Sequence, residues 1–446
     1  MKTKFYLSAI AMLISFSLFG QDINGKLGTN GQFIIRDTSS TFLTLSQSTG
    51  NLSLNRNLIF TTMTAGSQTG VIYKGNSRFI HNYFGSGTTG ENTFVGINSG
   101  NFTLGGSSAN GSFNTGTGYS TLSSLTTGSY NSAFGDKSLY SNTTGNNNSA
   151  FGYQALYSNI TGIYNSAFGY QALYSNTFNM NSAFGYQSLY SNTTGYYNSA
   201  FGLYSLYTNS TGQSNSAFGY QSLYKITTGY QNSAFGDNSL YNTSGNGNSG
   251  FGMRSLSGVT TGGYNTGIGI DAGSNITTGS NNTTIGNIAQ VPSGTASNQV
   301  RIGNTAITYA GIQVAWTITS DINWKQNITS SGLGLGFISK LKPVSYTRIN
   351  DEKQRTEYGF IAQDIEKALK ETGAENSGMI TVDDAGRYEL RYNDLLAPMV
   401  KAIQELKEEN DSIKTENKEL KERLQKIEQL QNILMKDINS LKTVNN

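Results

Sequence analysis

Apolar positions along this chain follow two different periods, and the change between them falls near residue 320. Upstream, a phenylalanine and, five residues later, a leucine recur about every 17 positions, as in Phe151 and Leu156, Phe168 and Leu173, or Phe201 and Leu206. The frame around them is Asn-Ser-Ala-Phe-Gly. It begins at Asn131, Asn148, Asn165, Asn181, Asn198, Asn215 and Asn232, in steps of 17, 17, 16, 17, 17 and 17 residues, with looser copies at Asn114, Asn248, Asn265 and Asn282. A fixed period of this kind signals a stacked repeat architecture, in which each unit buries little alone and its neighbours complete the core. Glycine and β-branched residues punctuate every copy, so the segments are too interrupted for helices and read as short strands. With one rung per copy, Phe and Leu are both expected to form continuous internal ladders. About ten rungs at roughly 4.8 Å give a rod of roughly 50 Å.

Before the repeats, Gln32–Arg36 and Thr41–Ser46 alternate apolar and polar residues between Gly and Asn turns and predict strands. After Ser320 charges become dense and the period turns helical. Leu396, Met399, Ile403, Leu406, Asn410, Ile413, Asn417, Leu420, Leu424, Ile427, Gln431, Leu434, Ile438 and Leu441 follow one another at alternating intervals of three and four. This is an apolar heptad flanked by Lys and Glu, which predicts a coiled coil, with Asn410 and Asn417 setting register at some cost in stability. The pattern leaves the number of helices open, and a trimer agrees with a rod.

Composition then narrows the chemistry. The 446 residues contain no cysteine and one histidine, His81, which excludes disulfides, thiol catalysis, Cys/His zinc sites and a lipoprotein cysteine, and leaves a Ser-His-Asp triad almost no material. His81 reads as a surface or turn residue. A net charge of +3 carries no nucleic-acid footprint. Only six charged side chains lie between residues 92 and 300 (Asp136, Lys137, Lys225, Asp237, Arg254 and Asp271), so neither a calcium-binding roll nor a glycosidase groove has its recurring carboxylates. What recurs is Tyr, Asn, Ser and Thr, expected on the surface. They would either grip glycans by ring stacking and hydrogen bonds or simply cover a thin rod. At the N-terminus, Lys2 and Lys4 precede an apolar run from Phe5 to Phe19, the pattern of a secretory signal peptide. No later window reaches the roughly 20 apolar residues of a membrane span.

The Asn-Ser-x-apolar-Gly core, followed by a small residue such as Ser138 or Ala155, resembles the head repeats of trimeric autotransporter adhesins and the shaft repeats of tail-fibre-like proteins. That resemblance implies a trimeric, left-handed parallel β-roll, although the period here is longer than is usual for such heads. A second resemblance starts at Ser320. Ser-Asp-Ile-Asn-Trp-Lys-Gln-Asn-Ile, then Leu341-Lys-Pro-Val-Ser-Tyr346, Tyr358-Gly-Phe-Ile-Ala-Gln-Asp364 and Tyr388-Glu-Leu-Arg-Tyr392 before the heptads resemble the intramolecular chaperone domain of endosialidase tailspikes. It implies a domain that drives trimerisation of a β-rich fibre and then cuts itself off. Residue by residue, Ser320 matches the nucleophile and Lys325 the general base, with the scissile bond between Thr319 and Ser320.

The chemistry is consistent with this. Attack by the Ser320 hydroxyl on the carbonyl of Thr319 needs its proton removed, and lysine is the base near enough in sequence. A free lysine, with a pKa of about 10.4, is protonated at neutral pH, so the reaction needs it desolvated. In an extended strand the two side chains would sit roughly 17 Å apart on opposite faces, so the chain must turn through Asp321–Asn323 or take the lysine from a neighbouring subunit. Trp316 and Trp324 flank the serine as desolvating walls or as core packing. The glycine run Gly332–Gly336 lacks the Lys-Thr pair of a phosphate loop.

Together these features predict a mainly β protein: a parallel β-roll or solenoid rod, trimeric, then a small α+β chaperone domain ending in a coiled coil. The expected divisions are a signal peptide at 1–20, a β-rich segment at 21–91, head-like repeats at 92–290, a neck at 291–319, the chaperone and autoprotease domain at 320–395 and the coiled coil at 396–442. The expected function is a secreted or surface-held bacterial fibre, adhesin-like, needing no cofactor or metal, with a homotrimer and a surface glycan or receptor as partners. The alternative is an uncleaved structural or phage-type tail fibre whose last domain is a trimerisation tip.

Overall fold

The computed structural model describes the strands at 32–36, 41–46 and 52–54, residues 66 and 70, and residues 71–444 apart from 108, 109 and 350. The expected signal peptide lies outside the described residues. Gln32–Arg36 and Thr41–Ser46 are strands, paired antiparallel, and Leu52–Leu54 joins them in a three-stranded sheet.

The rod is a parallel β-solenoid. It opens with the antiparallel strands Ile72–Lys74 and Ser77–His81, and from Thr93–Val95 to Val300–Ile302 every strand is three residues long and pairs in parallel with the next. In the regular copies the register sets Ser on Ser, Ala on Ala and Phe on Phe. Each strand therefore turns only its middle residue inward, because successive side chains point to opposite faces. The alanines Ala133 to Ala234 are fully buried, and the leucines from Leu139 to Leu256 lie beside them in the same core. The phenylalanines stack ring on ring, 4.6–5.1 Å between centroids, on the outer face of the strand. The expectation that both ladders are internal thus holds for Leu and fails for Phe. Period-two alternation puts Ala, not Phe, inside.

Backbone geometry explains the glycine that closes each motif. Gly219 has φ +132°, and a Cβ there would lie 2.7 Å from the carbonyl carbon of Gly236 in the following rung. Any side chain would force the rungs apart. The core leucines carry positive φ as well, 52° at Leu156, and their amides donate to the following rung, Leu156 N to Ala172 O at 3.0 Å.

Asparagine, expected outside, forms buried ladders. Asn148 donates through Nδ2 to Asn131 Oδ1 (3.1 Å) and to Gly162 O (2.8 Å), and its Oδ1 accepts from Asn165 N and Nδ2. All four hydrogen-bonding positions of the amide are filled, which is what permits its burial. This backbone-to-side-chain ladder runs unbroken from Asn92 to Gln299. A second ladder, from Asn142 to Asn209, ends where Ile226 takes the asparagine position, and the buried Asn209 Oδ1 there has no partner.

Beyond the rod, a small α+β unit packs Phe337, Ile365, Ala368, Leu369, Met379 and Leu395 into its own core. Its elements are a short helix Leu335–Ile338, the hairpin Val344–Tyr346 with Glu357–Gly359, the helix Ala362–Glu371 and the hairpin Ile380–Val382 with Tyr388–Leu390. The glycine run gives the short helix its entry. Gly334 leaves the space that the Glu405 carboxylate occupies, and that carboxylate accepts from Leu335 N at 2.6 Å. The last hairpin touches the end of the rod: Asp384 N donates to Pro292 O (2.7 Å), Asp384 Oδ2 accepts from Gly294 N (2.8 Å), and Glu389 pairs with Arg301. Leu396–Val444 is one helix, and along it the heptad residues stand exposed, Leu420 at 51% and Leu424 at 55%. Among the described residues no helix is long and apolar enough to cross a membrane.

Candidate functional site

Ser320 lies within an exposed segment, 305–332, between the last strand of the rod and the core of the terminal unit. Asp321 is extended, with φ −65° and ψ 140°, and its carboxylate accepts from Asn323 N at 2.7 Å, capping the single 3-10 turn Ile322–Trp324. Trp324 N and Lys325 N close the turn on Asp321 O and Ile322 O, each at 3.1 Å. A 3-10 turn advances only about 2 Å per residue, against about 3.3 Å in a strand. The reversal through Asp321–Asn323 brings Lys325 back, and its Nζ donates to Ser320 Oγ at 2.7 Å. The two residues meet within one chain, by the first of the two expected routes, a turn through Asp321–Asn323.

Both partners are solvent-exposed, as is Thr319. The tryptophans are exposed too, Trp316 at 73% and Trp324 at 82%, so in the single chain they neither wall off the pair nor pack in a core. The geometry supplies contact between hydroxyl and amine. Among the described residues none shields the pair from water.

His81, expected at the surface, is buried at the start of the rod. Its ring sits 4.9 Å from both Phe94 and Phe102, one nitrogen, Nε2, is 2.8 Å from Ser99 O, and Nδ1 accepts from Tyr83 N. Burial pushes its pKa down to about 4, the hydrogen bond to Ser99 opposing. Two interactions escaped sequence reasoning altogether: the cap at Asp321 and the contacts of Asp384 and Glu389 with the rod. The first has a recognisable signal, an aspartate two residues before the amide it caps. The second joins residues 88 to 92 positions apart and has none.

Elsewhere on the rod, tyrosines stack at the rung spacing. Tyr140, Tyr157, Tyr174, Tyr190, Tyr207, Tyr224 and Tyr241 form one file at 5.1–5.4 Å, and Tyr153, Tyr170 and Tyr186 another that is about 40% exposed. Arg254 and Asp271, one repeat apart, form a paired contact on the surface. Among the described residues no cluster of His, Cys, Asp or Glu has the makeup of a metal site.

No curated protein and no solved structure matches the chain. The rod lies outside the family match, which begins at the serine of the Ser–Lys contact: residues 320–374 match the family model of the chaperone of endosialidase.

Proposed function

We propose that this protein is a secreted, trimeric, adhesin-like fibre whose terminal domain promotes assembly and then cleaves the chain between Thr319 and Ser320. The observation that carries the reading is the 2.7 Å contact from Lys325 Nζ to Ser320 Oγ at the first residue of the family match. Neutral Lys325 takes the hydroxyl proton, and Ser320 Oγ adds to the carbonyl carbon of Thr319. The Thr319–Ser320 C–N bond then breaks, the lysine returns its proton to the departing amine, and an ester links the two parts. Water hydrolyses that ester, leaving a carboxylate on Thr319 and a free amino group on Ser320.

Assembly is the switch. In the single chain the pair is in water, whereas the reaction needs a neutral amine. Packing of neighbouring copies around the exposed Trp316 and Trp324 would exclude that water and favour the neutral amine. The exposed heptad on Leu396–Val444 supports association of copies, the N-terminal lysines and apolar run support secretion, and the exposed file of Tyr153, Tyr170 and Tyr186 supports contact with a glycan or receptor.

The same exposure of Ser320 and Lys325 favours a second reading, an uncleaved fibre with the terminal domain kept as a trimerisation tip. Intact mass and N-terminal sequencing of the full chain, beside Ser320→Ala and Lys325→Ala, separate the two. A fragment of residues 320–446 in the wild type and in neither variant supports self-cleavage. Full-length trimers in all three support the tip.

A further inference from the structure

Among the described residues, the rings of the phenylalanine file stack only on one another. From Phe134 to Phe251 it runs along one face of the strand ladder, and Ile268, Ile285 and Ile302 continue it to the last rung. Phe134, Phe235 and Phe251 are 36–41% exposed, and the isoleucines 39–63%. Each sits at the end of a three-residue strand that starts with Ser or Thr over the regular rungs and is followed by glycine, so a neighbouring backbone can come close. No charged side chain occurs in the file itself. The phenylalanines between, Phe151 to Phe218, are half-buried, so the apolar strip is continuous along the rod, and a continuous apolar strip marks an interaction surface.

We infer that this file is the surface along which the rods of separate copies of this chain pack, the phenylalanines of three copies surrounding a common axis. The inference rests on the homotrimer reading above. Two observations select a second copy over another occupant. The strip repeats at the rung spacing, 4.6–5.1 Å from ring to ring, and a parallel copy of the same chain presents the same spacing at every rung by construction. The chain also ends in a second unpartnered apolar row, the heptads of Leu396–Val444, so association of the helices would hold the rods side by side in the same direction. The tyrosine files then remain outside for other contacts.

Because the chain has no cysteine, single sites for spin labels are available. Ser199→Cys lies on the outward face of a strand, two residues before Phe201, whereas Thr211→Cys lies on an exposed turn away from it. Both are made in the full chain, labelled, checked for mass by native mass spectrometry, and measured for interspin distance. Packing through the file predicts short distances at Ser199→Cys, near the roughly 10 Å separation of face-packed sheets extended by the label arms, and clearly longer ones at Thr211→Cys. A trimer with the longer distance at Ser199→Cys overturns the assignment of this face while leaving the trimer intact. A monomer by native mass removes the trimer reading and this inference with it. Phe201→Glu with Phe218→Glu provides a second measurement. If the helices still hold three chains together, the rods should splay, seen as a thicker scattering cross-section, and an unchanged cross-section overturns the inference.

Discussion

Lys325 Nζ stands 2.7 Å from Ser320 Oγ, although an extended chain would hold the two side chains far apart on opposite faces. One 3-10 turn capped by Asp321 makes the difference. The contact orients an amine toward the hydroxyl next to the Thr319–Ser320 peptide bond. Lys325→Arg tests the role of that amine. Arginine keeps the charge and a hydrogen-bond donor but cannot be deprotonated, so it cannot accept the serine proton. The expected outcome is full-length protein by intact mass. Continued production of the 320–446 fragment would mean that another group is the base.

Asp321 should act by positioning. Its carboxylate holds Asn323 N, and loss of an N-cap of this kind costs about 1 kcal/mol. If that cost falls on the conformation that reacts, Asp321→Ala slows appearance of the fragment roughly fivefold without abolishing it. Asp321→Asn retains an acceptor and should restore most of the rate. Equal rates in Asp321→Ala and wild type would detach the cap from the reaction.

The two asparagine ladders should respond differently to the same kind of change. Asn198→Leu removes the acceptor of Asn215 N, a buried donor, and is expected to destabilise the rod by about 1–3 kcal/mol. Asn209→Ile is expected to be close to neutral. Its Oδ1 is already unpaired beside Ile226, Gly212 O keeps its bond from Asn198, and the orphan acceptor merely moves back to Asn192. Denaturant midpoints of the two variants check the contrast, and equal losses would show that the ladders are equivalent.

The start of the rod should loosen in acid. His81 titrates near 4 in the folded chain, against 6.5 for the free side chain, because burial disfavours its charged form. The unfolded state therefore takes up the proton first, and stability falls as pH drops through 6.5, levelling off below about 4. The full loss is about 3 kcal/mol. Thermal melts from pH 7 to pH 4 should show a steeper decline for wild type than for His81→Gln. Parallel declines would remove His81 as the cause.

Much of this protein was legible from residue order alone. The step of 16 or 17 residues implied one rung per copy, the three-and-four spacing from Leu396 implied a long helix, and Gln32–Arg36 and Thr41–Ser46 alternate as the strands they form. These are local properties: a period in the chain becomes a period in space whenever neighbouring units stack. The inner and outer sides of each rung were not legible in the same way. Phe is more apolar than Ala, and only the register of three-residue strands against their neighbours turned Ala inward and left Phe outside. Asn reads as polar and external, yet its amide becomes a core residue once the rungs above and below supply all its partners.

At the candidate site, the sequence determined the pair of residue types and their spacing. The tertiary structure decided that one turn within the chain joins Ser320 to Lys325, that both remain in water, and that Asp384 and Glu389 reach the rod from nearly 90 residues away. Contacts between distant segments depend on how whole elements pack, and hydrophobic periodicity carries information only about the face of an element, not about what lies against it.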